Sequence, residues 1–332
     1  MKIVAAGIAF GALTWGWGPC TAAAEETSSA TLRFEERSIA LDERHHESFD
    51  TRFPIDAVSR YTISLGTLLS YDLDVARYRD ADGATRHAIV HLSDEGSTAS
   101  PVSGPDPYQF RRRAWNDLGR VVARHTDDHA MFVGWWDNMQ RLHLHTGRHG
   151  RPRYPDAGSY SRGEQRELWR NVAGAFLPDD SLACLSRHLL KRVDEGLAGI
   201  ADCAWSGENG SMFLLVSTDD LAHIQEMSFL AGRGIPLETR VFSSEGDIHG
   251  VVASVNAWAG HAGGTGSYLV QPARGFTVRA WRVMEQAFED SLLVRLLPFS
   301  SSLERDPPEH VRLVYQSAAG GFLSIYEITS TP

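Results

Sequence analysis

The stretch Ser211-Met-Phe-Leu-Leu-Val-Ser217, followed directly by Thr218-Asp219-Asp220, decides the fold. Its apolar run has the length of a strand, and such runs are typical of strands buried on both faces of a sheet. The Thr-Asp-Asp that follows offers the hydroxyl and carboxylate oxygens that cap the N-terminus of a helix. A buried strand that turns straight into a capped helix predicts an α/β layer architecture.

The same alternation of helix and strand continues on both sides of this stretch. Helices are predicted over Tyr108–His125, Arg162–Phe176 and Asp180–Ala198, and strands over Ala130–Trp136, Thr239–Ser243, Tyr268–Gln271 and Thr277–Val283. Strands separated by helices favour a mostly parallel, Rossmann-like sheet flanked by helices. Near the end, Val311–Gln316 and Phe322–Ile328 lie on either side of a Ser-Ala-Ala-Gly-Gly connection, which predicts a terminal β-hairpin.

A smaller β-rich region precedes the α/β part. Strands over Asp72–Tyr78 and Arg86–Leu92 flank a turn-rich Asp80-Ala-Asp-Gly83, the pattern of a hairpin. The polar, turn-forming run that ends at Pro107 then separates this region from the helices. We therefore divide the mature chain into a β-rich domain (25–95), a linker (96–107) and an α/β domain (108–332).

The first 24 residues predict export across a membrane. Lys2 is followed by an apolar run from Ile3 to Gly18, and Thr21-Ala-Ala-Ala24 then offers small residues at a cleavage site. Cleavage after Ala24 would release the mature protein into the periplasm. The alternative is that residues 1–24 stay as an N-terminal anchor, since a segment of this length can span a bilayer. Contact with a membrane is expected only if the segment is retained.

Charge and cysteine content limit the classes of partner and cofactor. The chain has 32 basic and 42 acidic residues, a formal net charge of −10, which argues against a nucleic-acid partner. Cys184 and Cys203 remain after the signal segment, and in an oxidising compartment they form either a disulfide or two buried thiols. The sequence Cys-x-x-Cys-His is absent, which excludes covalent c-type haem, and we expect no cofactor.

The most distinctive motif is Val133-Gly-Trp-Trp-Asp-Asn138. Open α/β sheets bind ligands at the carboxyl ends of their strands, where this motif is predicted to lie. We therefore predict a ligand- or partner-binding site there, made of Trp135, Trp136, Asp137, Asn138, Arg141 and Arg148. The alternative is that Trp135 packs in the core and Asp137 only caps the next helix.

Other candidate sites have simpler explanations. His143 and His145 fall late in a predicted helix, where a two-residue offset points side chains about 200° apart, so we expect no metal site. The glycine-rich segment 260–267 precedes a strand, unlike a phosphate-binding loop, and is interpreted as a turn. Neither Gly-x-Ser-x-Gly nor His-Glu-x-x-His occurs. This absence counts against an enzyme without excluding one.

The α/β part resembles the extracytoplasmic domain of the oligosaccharyltransferase catalytic subunit. The resemblance is carried by the order strand, Trp-Trp-Asp, helix, Thr-Gly-Arg between Asp127 and Arg148, and by the closing hairpin over 311–326. In that family Trp-Trp-Asp recognises the acceptor peptide, which implies a peptide- or saccharide-binding module. The chain departs from the family at Asn138-Met139, where the family motif continues Tyr-Gly. It also lacks the multispanning catalytic half, so glycosyl transfer is not implied.

Over nearly its whole length the chain also resembles the hydroxylamine oxidation protein HaoB family. The strings that carry this resemblance are Trp15-Gly-Trp17, Gly134-Trp-Trp-Asp-Asn-x-Gln-Arg141, Ser291-Leu-Leu-Val-Arg-Leu-Leu-Pro-Phe299 and Gly321-Phe-Leu-Ser-Ile-Tyr326. Such proteins are encoded beside hydroxylamine oxidoreductase. The resemblance implies an exported, haem-free accessory or anchoring protein in nitrification, with a multihaem hydroxylamine oxidoreductase as its partner.

Overall fold

The computed structural model describes residues 32–41, 49–65, 69–90, 107–160, 163–204, 211–243, 248–261, 263–273, 277–318 and 321–329. The signal or anchor segment predicted at 1–24 lies outside them, as does the linker predicted at 96–107 except for its last residue. The division into two domains therefore stays a prediction.

Twelve strands form three sheets within the described residues. Their bounds are β1 Leu32–Ile39, β2 Ile55–Leu65, β3 Leu69–Arg79, β4 Thr85–Val90, β5 Met131–Val133, β6 His149–Arg151, β7 Met212–Ser217, β8 Leu237–Ser243, β9 Tyr268–Ala273, β10 Thr277–Val283, β11 Val311–Gln316 and β12 Leu323–Ile328. The sheets have the orders β1-β2-β3-β4, β8-β10-β9 and β11-β12-β7-β5-β6.

Nine α-helices accompany these strands in the same residues. Their bounds are α1 Pro107–His125, α2 Trp136–Thr146, α3 Gly163–Ala173, α4 Ser181–Leu189, α5 Val193–Ala204, α6 Ile224–Ala231, α7 Ile248–Ala259, α8 Leu292–Leu296 and α9 Ser300–Leu303. Short 3-10 helices add Ala157–Ser159, Thr218–His223 and Gln286–Asp290. The α/β class is confirmed.

The five-stranded sheet is mixed, so the expectation of a mostly parallel sheet is wrong. Only the pairs β5–β6 and β5–β7 are parallel. The predicted terminal hairpin β11–β12 is confirmed, and it changes the character of the sheet because β12 adds antiparallel to β7. A short connection can join only antiparallel neighbours, so a hairpin that enters a parallel sheet makes it mixed.

The three strands predicted between 239 and 283 do not join this sheet. They form a separate antiparallel sheet in which β10 is central and pairs with β8 and β9. Only residues 274–276 separate β9 from β10, too few for the crossover that a parallel pair would need. The predicted strands are therefore confirmed, but their predicted common sheet is not.

The predicted N-terminal β-rich region is an antiparallel meander of β1 to β4. The turn from β3 to β4 follows the predicted hairpin. Asp80 Oδ1 accepts hydrogen bonds from the backbone N–H groups of Asp82 (3.1 Å) and Ala84 (3.0 Å). Gly83 has a φ of 76°, a left-handed conformation that glycine adopts without strain.

The helix predicted over Asp180–Ala198 is two helices. Helix α4 ends at Leu189, and α5 begins at Val193 after a short turn. The break lets α5 pack against α4, which brings Cys184 and Cys203 to a Cα–Cα distance of 5.5 Å, and the two form a disulfide. Of the two alternatives for these cysteines, the disulfide is confirmed.

Helix α2 lies at the centre of the molecule. Ten of its eleven residues, Trp136 to His145, are buried, and it contacts α1, β4, β6 and β7. A helix buried on all sides is usually apolar all round. Most of the buried residues of α2 are polar, so each requires a partner among the elements that surround the helix.

Candidate functional site

The carboxyl ends of β5 and β7 meet at one edge of the five-stranded sheet, and polar side chains collect there. Strand β5 ends at Val133 and β7 ends at Ser217. The two strands are parallel neighbours, and each leads into a helical segment. This edge is the ordinary ligand-binding position of an α/β sheet. The candidate site is therefore built on two strand-to-helix turns, one after each strand.

The turn after β7 is a capping box. Ser217 Oγ accepts a hydrogen bond from the backbone N–H of Asp219 (3.1 Å), and the carboxylate of Asp220 accepts one from the backbone N–H of Ser217 (2.9 Å). Each side chain thus satisfies a backbone donor that the helix leaves unpaired. A cap at the predicted place is confirmed, but its side chains are Ser217 and Asp220, and neither Thr218 nor Asp219 contributes a capping side chain.

The turn after β5 leaves the sheet at Gly134. A Cβ atom there would lie 2.6 Å from the carbonyl oxygen of Leu215 and 2.7 Å from Met139 Cε, so only glycine fits. The strand predicted to reach Trp136 stops at Val133, because the chain turns away at this close approach to β7. Trp135 is the N-cap of α2 and provides no side-chain cap.

The two tryptophans pack in the core. Both side chains are fully buried, and the ring of Trp136 contacts that of Trp169 edge-on, with centroids 5.9 Å apart. Neither indole N–H finds a hydrogen-bond partner in the part of the chain that the structure describes. Burying an unpaired donor costs free energy, so the apolar packing of the two rings has to offset that cost.

Asp137 and Arg141 form a buried ion pair one turn apart on α2. Arg141 Nη2 donates to Asp137 Oδ2, and both side chains are about 95 % buried. Arg141 Nη1 donates to Asn138 Oδ1 (3.2 Å), and Arg141 Nε donates to the carbonyl oxygen of Ile89 on β4 (2.9 Å). The guanidinium therefore joins α2 to the N-terminal sheet.

Asn138 connects the two turns. Its Nδ2 donates to Asp220 Oδ1 at 2.6 Å, and Asp220 is also the acidic residue of the capping box. Asn138 thus donates to the carboxylate of Asp220 and accepts from Arg141, so both ends of its amide are hydrogen-bonded. This buried side chain therefore links the turn after β5 to the turn after β7.

Asp220 has a strongly perturbed acidity. Burial raises the pKa of its carboxyl to about 7, and the negative charge of Asp137 acts in the same direction. The hydrogen bond from the backbone of Ser217 opposes this rise. A carboxyl with a pKa near neutrality at the carboxyl end of a strand is a feature of functional sites, although structural networks produce it as well.

His223 completes the cluster. Its ring lies 5.5 Å from that of Trp135 and 6.2 Å from that of Trp136, measured between centroids. Its Nε2 is 3.9 Å from Asp137 Oδ2, and its Nδ1 is 3.6 Å from Glu226 Oε2. Burial alone would lower the pKa of His223, but the neighbouring carboxylates of Glu226 and Asp137 outweigh it, so the pKa is raised.

The resulting site is an acid–base cluster of Asp137, Asp220, His223 and Glu226 under two indole rings. Tyr160, which is itself buried, donates a hydrogen bond to Glu226 Oε1 (3.3 Å). Because burial raises the pKa of Asp220 to about 7, the cluster is able to take up or release a proton near neutrality. Asp220 contacts α2 through Asn138, and His223 lies close to Asp137 on the same helix.

Arg148 and the histidines of α2 lie apart from this cluster. Arg148 donates to Asp128 and to the carbonyl oxygen of Thr126, at the opposite end of α2. His143 Nδ1 bonds the carbonyl oxygen of Arg148, and His145 Nδ1 bonds that of Asp50. The two histidines thus contact different neighbours, and burial lowers the pKa of both, to about 4 for His145. The structure brings together five of the six predicted site residues.

Asp220, His223 and Glu226 were not predicted as site residues. The sequence predicts Asp220 only as part of a helix cap, and no motif in it indicates a role for His223 or Glu226. A signal was present, since Asp220, His223 and Glu226 follow one another at intervals of three, which places them on neighbouring turns of one helical segment. Their proximity to Asp137 arises from the tertiary fold and cannot be read from the sequence.

Comparisons with known proteins support the resemblance to the HaoB family more strongly than the resemblance to the oligosaccharyltransferase domain. A family model described as "HaoA-associated protein HaoB" matches residues 2–328. No curated protein matches the chain. Among solved structures, the crystal structure of the C. jejuni PglB C-terminal domain is similar at 9 % identity and a TM-score of 0.34, covering 64 % of this chain and 98 % of that one. At this TM-score the likeness carries no argument about function.

Among the described residues, every helix is too short or too polar to span a membrane.

The family model spans nearly the whole sequence, from the N-terminal apolar segment to the closing hairpin. It includes both strand-to-helix turns and the cluster between them. The chain therefore belongs to the HaoB family of HaoA-associated proteins.

Proposed function

We propose that this chain is an exported, haem-free accessory protein that binds HaoA, which we take to be the multihaem hydroxylamine oxidoreductase that the resemblance implies. The observation that carries the proposal is the family match over residues 2–328, since the family is named for its association with HaoA. The absence of Cys-x-x-Cys-His supports the haem-free part. Haem groups in the assembly then belong to the partner.

Charge favours electrostatic docking. The chain carries a formal net charge of −10, so it complements a partner surface rich in Lys or Arg. Such complementarity mainly accelerates association, and it is weakened by salt. We therefore expect binding to HaoA to weaken as ionic strength rises.

The burial of the Trp-Trp-Asp motif limits how it can take part in binding the partner protein. Trp135, Trp136, Asp137, Asn138 and Arg141 are all at most 4 % exposed. Side chains this deep do not reach a partner protein in the folded chain. We propose that they are positioning residues, which hold the two strand-to-helix turns and the surface above them in the shape that the partner binds.

The disulfide between Cys184 and Cys203 supports export, because disulfides persist in oxidising compartments. The test is N-terminal sequencing of the protein from the periplasmic fraction of its native host. We expect a mature N-terminus at Glu25. Recovery of the protein only from the cytosol with its first residues intact would overturn export, and recovery from membranes with residues 1–24 attached would favour the anchor.

Binding is tested with the purified mature chain on a biosensor surface and HaoA from the same host in solution. We expect saturable binding that weakens with salt, and no binding of an unrelated multihaem cytochrome of similar charge. Absence of binding to HaoA at low ionic strength would overturn the proposed function. The same measurement with Asp137→Asn tests the positioning role.

The matched control for Asp137→Asn is Asp117→Asn, the same substitution at a half-exposed ion pair with Arg120. Thermal unfolding is measured first, so that binding is compared at a temperature where all three proteins are folded. We expect weaker binding for Asp137→Asn and unchanged binding for Asp117→Asn. Unchanged binding together with unchanged stability would remove Asp137 from the functional residues.

A further inference from the structure

We propose that Cys184, His188 and Cys203 form a redox-gated site for a soft metal cation, Cu⁺ or Zn²⁺, which opens when the disulfide is reduced. One ligand atom from each residue lies within 4.8 Å of the other two. In a tetrahedral zinc site with bonds of about 2.3 Å, neighbouring sulfurs lie about 3.7 Å apart. The three residues therefore need to move by only about an ångström to share one ion.

Helix geometry places the three residues on facing surfaces. Cys184 and His188 are four positions apart on α4, so both project from the same face of that helix. Cys203 lies on α5, which packs against α4. Its Sγ is 3.3 Å from the carbonyl oxygen of Gly199, one turn earlier on the same helix.

Two glycines on α5 make room for His188. A Cβ atom at Gly199 would overlap the imidazole ring of His188, and one at Gly196 would lie 2.6 Å from the His188 carbonyl oxygen. Glycine lowers the stability of a helix interior relative to alanine, so its presence twice in α5 requires a packing reason. The two glycines of α5 thus let the helices approach and let the imidazole ring lie beside the sulfur atoms.

His188 retains a coordinating nitrogen. Its Nδ1 is buried and has no hydrogen-bond partner in the described residues. Buried polar atoms without a partner are rare, and each requires an explanation such as an unfilled ion or water site. Cys184, His188 and Cys203 as whole residues are partly exposed, so a reductant and an ion are able to reach them.

Reduction of the Cys184–Cys203 disulfide requires two electrons, which a dithiol donor supplies. A thiolate of that donor attacks the disulfide, and a second exchange leaves the donor oxidised and Cys184 and Cys203 as two thiols, a transfer of two electrons and two protons. Binding of the metal displaces the two thiol protons, and the resulting thiolates with imidazole prefer Cu⁺ or Zn²⁺ over harder cations. In the disulfide form no thiolate exists, and the site is closed.

This site does not depend on association with HaoA. The test uses the purified mature chain, reduced with a phosphine under argon and desalted, beside the oxidised chain. Zn²⁺ and Cu⁺ are titrated separately in competition with chromophoric chelators, and thiol alkylation is followed with and without metal. We expect one ion per reduced chain, none on the oxidised chain, and slower alkylation when metal is bound.

Two pairs of variants assign the ligands. His188→Ala should weaken metal binding by about tenfold or more, whereas His129→Ala, the same change at an exposed histidine, should leave it unchanged. Gly199→Ala should weaken binding because it displaces the imidazole ring. Gly250→Ala, a helical glycine with no neighbouring atom within 4 Å, is its control.

Several results would overturn the proposal. One is equal metal binding by the reduced and oxidised chains, and another is full affinity in His188→Ala, which would indicate adventitious binding by two thiols. Loss of the helical circular dichroism signal on reduction alone would also overturn it, because the ligands would no longer be held together. Retained helical signal, with metal bound only after reduction, supports it.

Discussion

The turns after β5 and β7 occupy the same edge of one sheet but are stabilised in different ways. After β7, Ser217 and Asp220 satisfy the backbone donors of the helix that follows, within four consecutive residues. After β5, Trp135 caps nothing, and α2 depends on Arg141 and Asn138, whose partners Ile89 and Asp220 are 52 and 82 positions away. The turn after β7 is stabilised by neighbouring residues, whereas the turn after β5 is stabilised by contacts that exist only in the folded chain.

The largest expected effect comes from breaking the distant contacts of α2. Arg141→Ala removes the guanidinium that pairs with Asp137 and bonds Ile89, and it leaves the buried carboxylate without its ion-pair partner. Loss of one partner of a buried ion pair costs about 3–5 kcal/mol. Urea unfolding should show a loss of stability of that size.

The control for this prediction is Arg120→Ala, at an ion pair whose two side chains are more than half exposed. Exposed pairs of this kind contribute at most about 1 kcal/mol. A similar loss in both variants would mean that the buried contacts of α2 are no more important than a surface pair. The contrast between the two turns would then fail.

The second prediction concerns the residue that both turns share. Because the pKa of Asp220 is raised from 3.8 to about 7, the folded chain keeps a proton in this range that the unfolded chain has lost. Stability from this group is therefore fully present below about pH 4 and falls as pH rises to about 7, by about 4 kcal/mol in total. The raised pKa of His223 acts with the same sign.

The measurement is the free energy of unfolding between pH 4 and 8 for the wild type and Asp220→Asn. The asparagine variant has no proton to lose at this position, so its profile should be flatter over this range whatever its absolute stability. Parallel profiles for the two proteins would show that Asp220 titrates normally. That result would contradict the acid–base cluster proposed around Asp220.

The third prediction separates the two roles of Asp137. Asp137→Asn keeps an oxygen acceptor but leaves Arg141 without a countercharge, and a hydrogen bond to a charged group contributes about 1.5–3 kcal/mol. It also removes the negative charge that raises the pKa of Asp220. We expect a stability loss of about 2 kcal/mol at about pH 5 and a smaller one near pH 7. An equal loss at both pH values would show that Asp137 and Asp220 are not coupled.

The smallest effect is expected at the local turn. Ser217→Ala removes the hydroxyl that accepts from the N–H of Asp219 and should cost about 1–2 kcal/mol. Ser254→Ala, at an exposed hydroxyl that bonds Gly250 one turn earlier on α7, should change stability by less than about 0.5 kcal/mol. A larger loss for Ser217→Ala than for Arg141→Ala would reverse the comparison between the turns.

Features set by consecutive residues were predictable from the sequence. The Asp80–Gly83 turn, a helix cap after β7 and the terminal hairpin all follow from residue types at fixed spacing, and the structure confirms their presence. The disulfide was one of two alternatives, because the pairing of Cys184 and Cys203 requires the unpredicted break between α4 and α5.

Features set by tertiary contacts were not predictable. Nothing in the sequence near Trp135 shows that β5 is only three residues long, since its end depends on the approach of Gly134 to Leu215. The direction of β12 beside β7 depends on where a hairpin about 100 positions later docks. The raised pKa of Asp220 depends on its burial and on Asp137, which the parallel pairing of β5 with β7 brings close.

The place of β12 beside β7 also governs how the chain reaches its native state. Ser217 pairs with Leu323, 106 positions later, and closing so long a loop costs entropy before any pairing repays it. Contacts this distant in sequence slow folding. Until β12 arrives, β7 presents an apolar, open edge to other chains. We expect slow refolding that is sensitive to protein concentration, with misassembly through β7 as its main hazard.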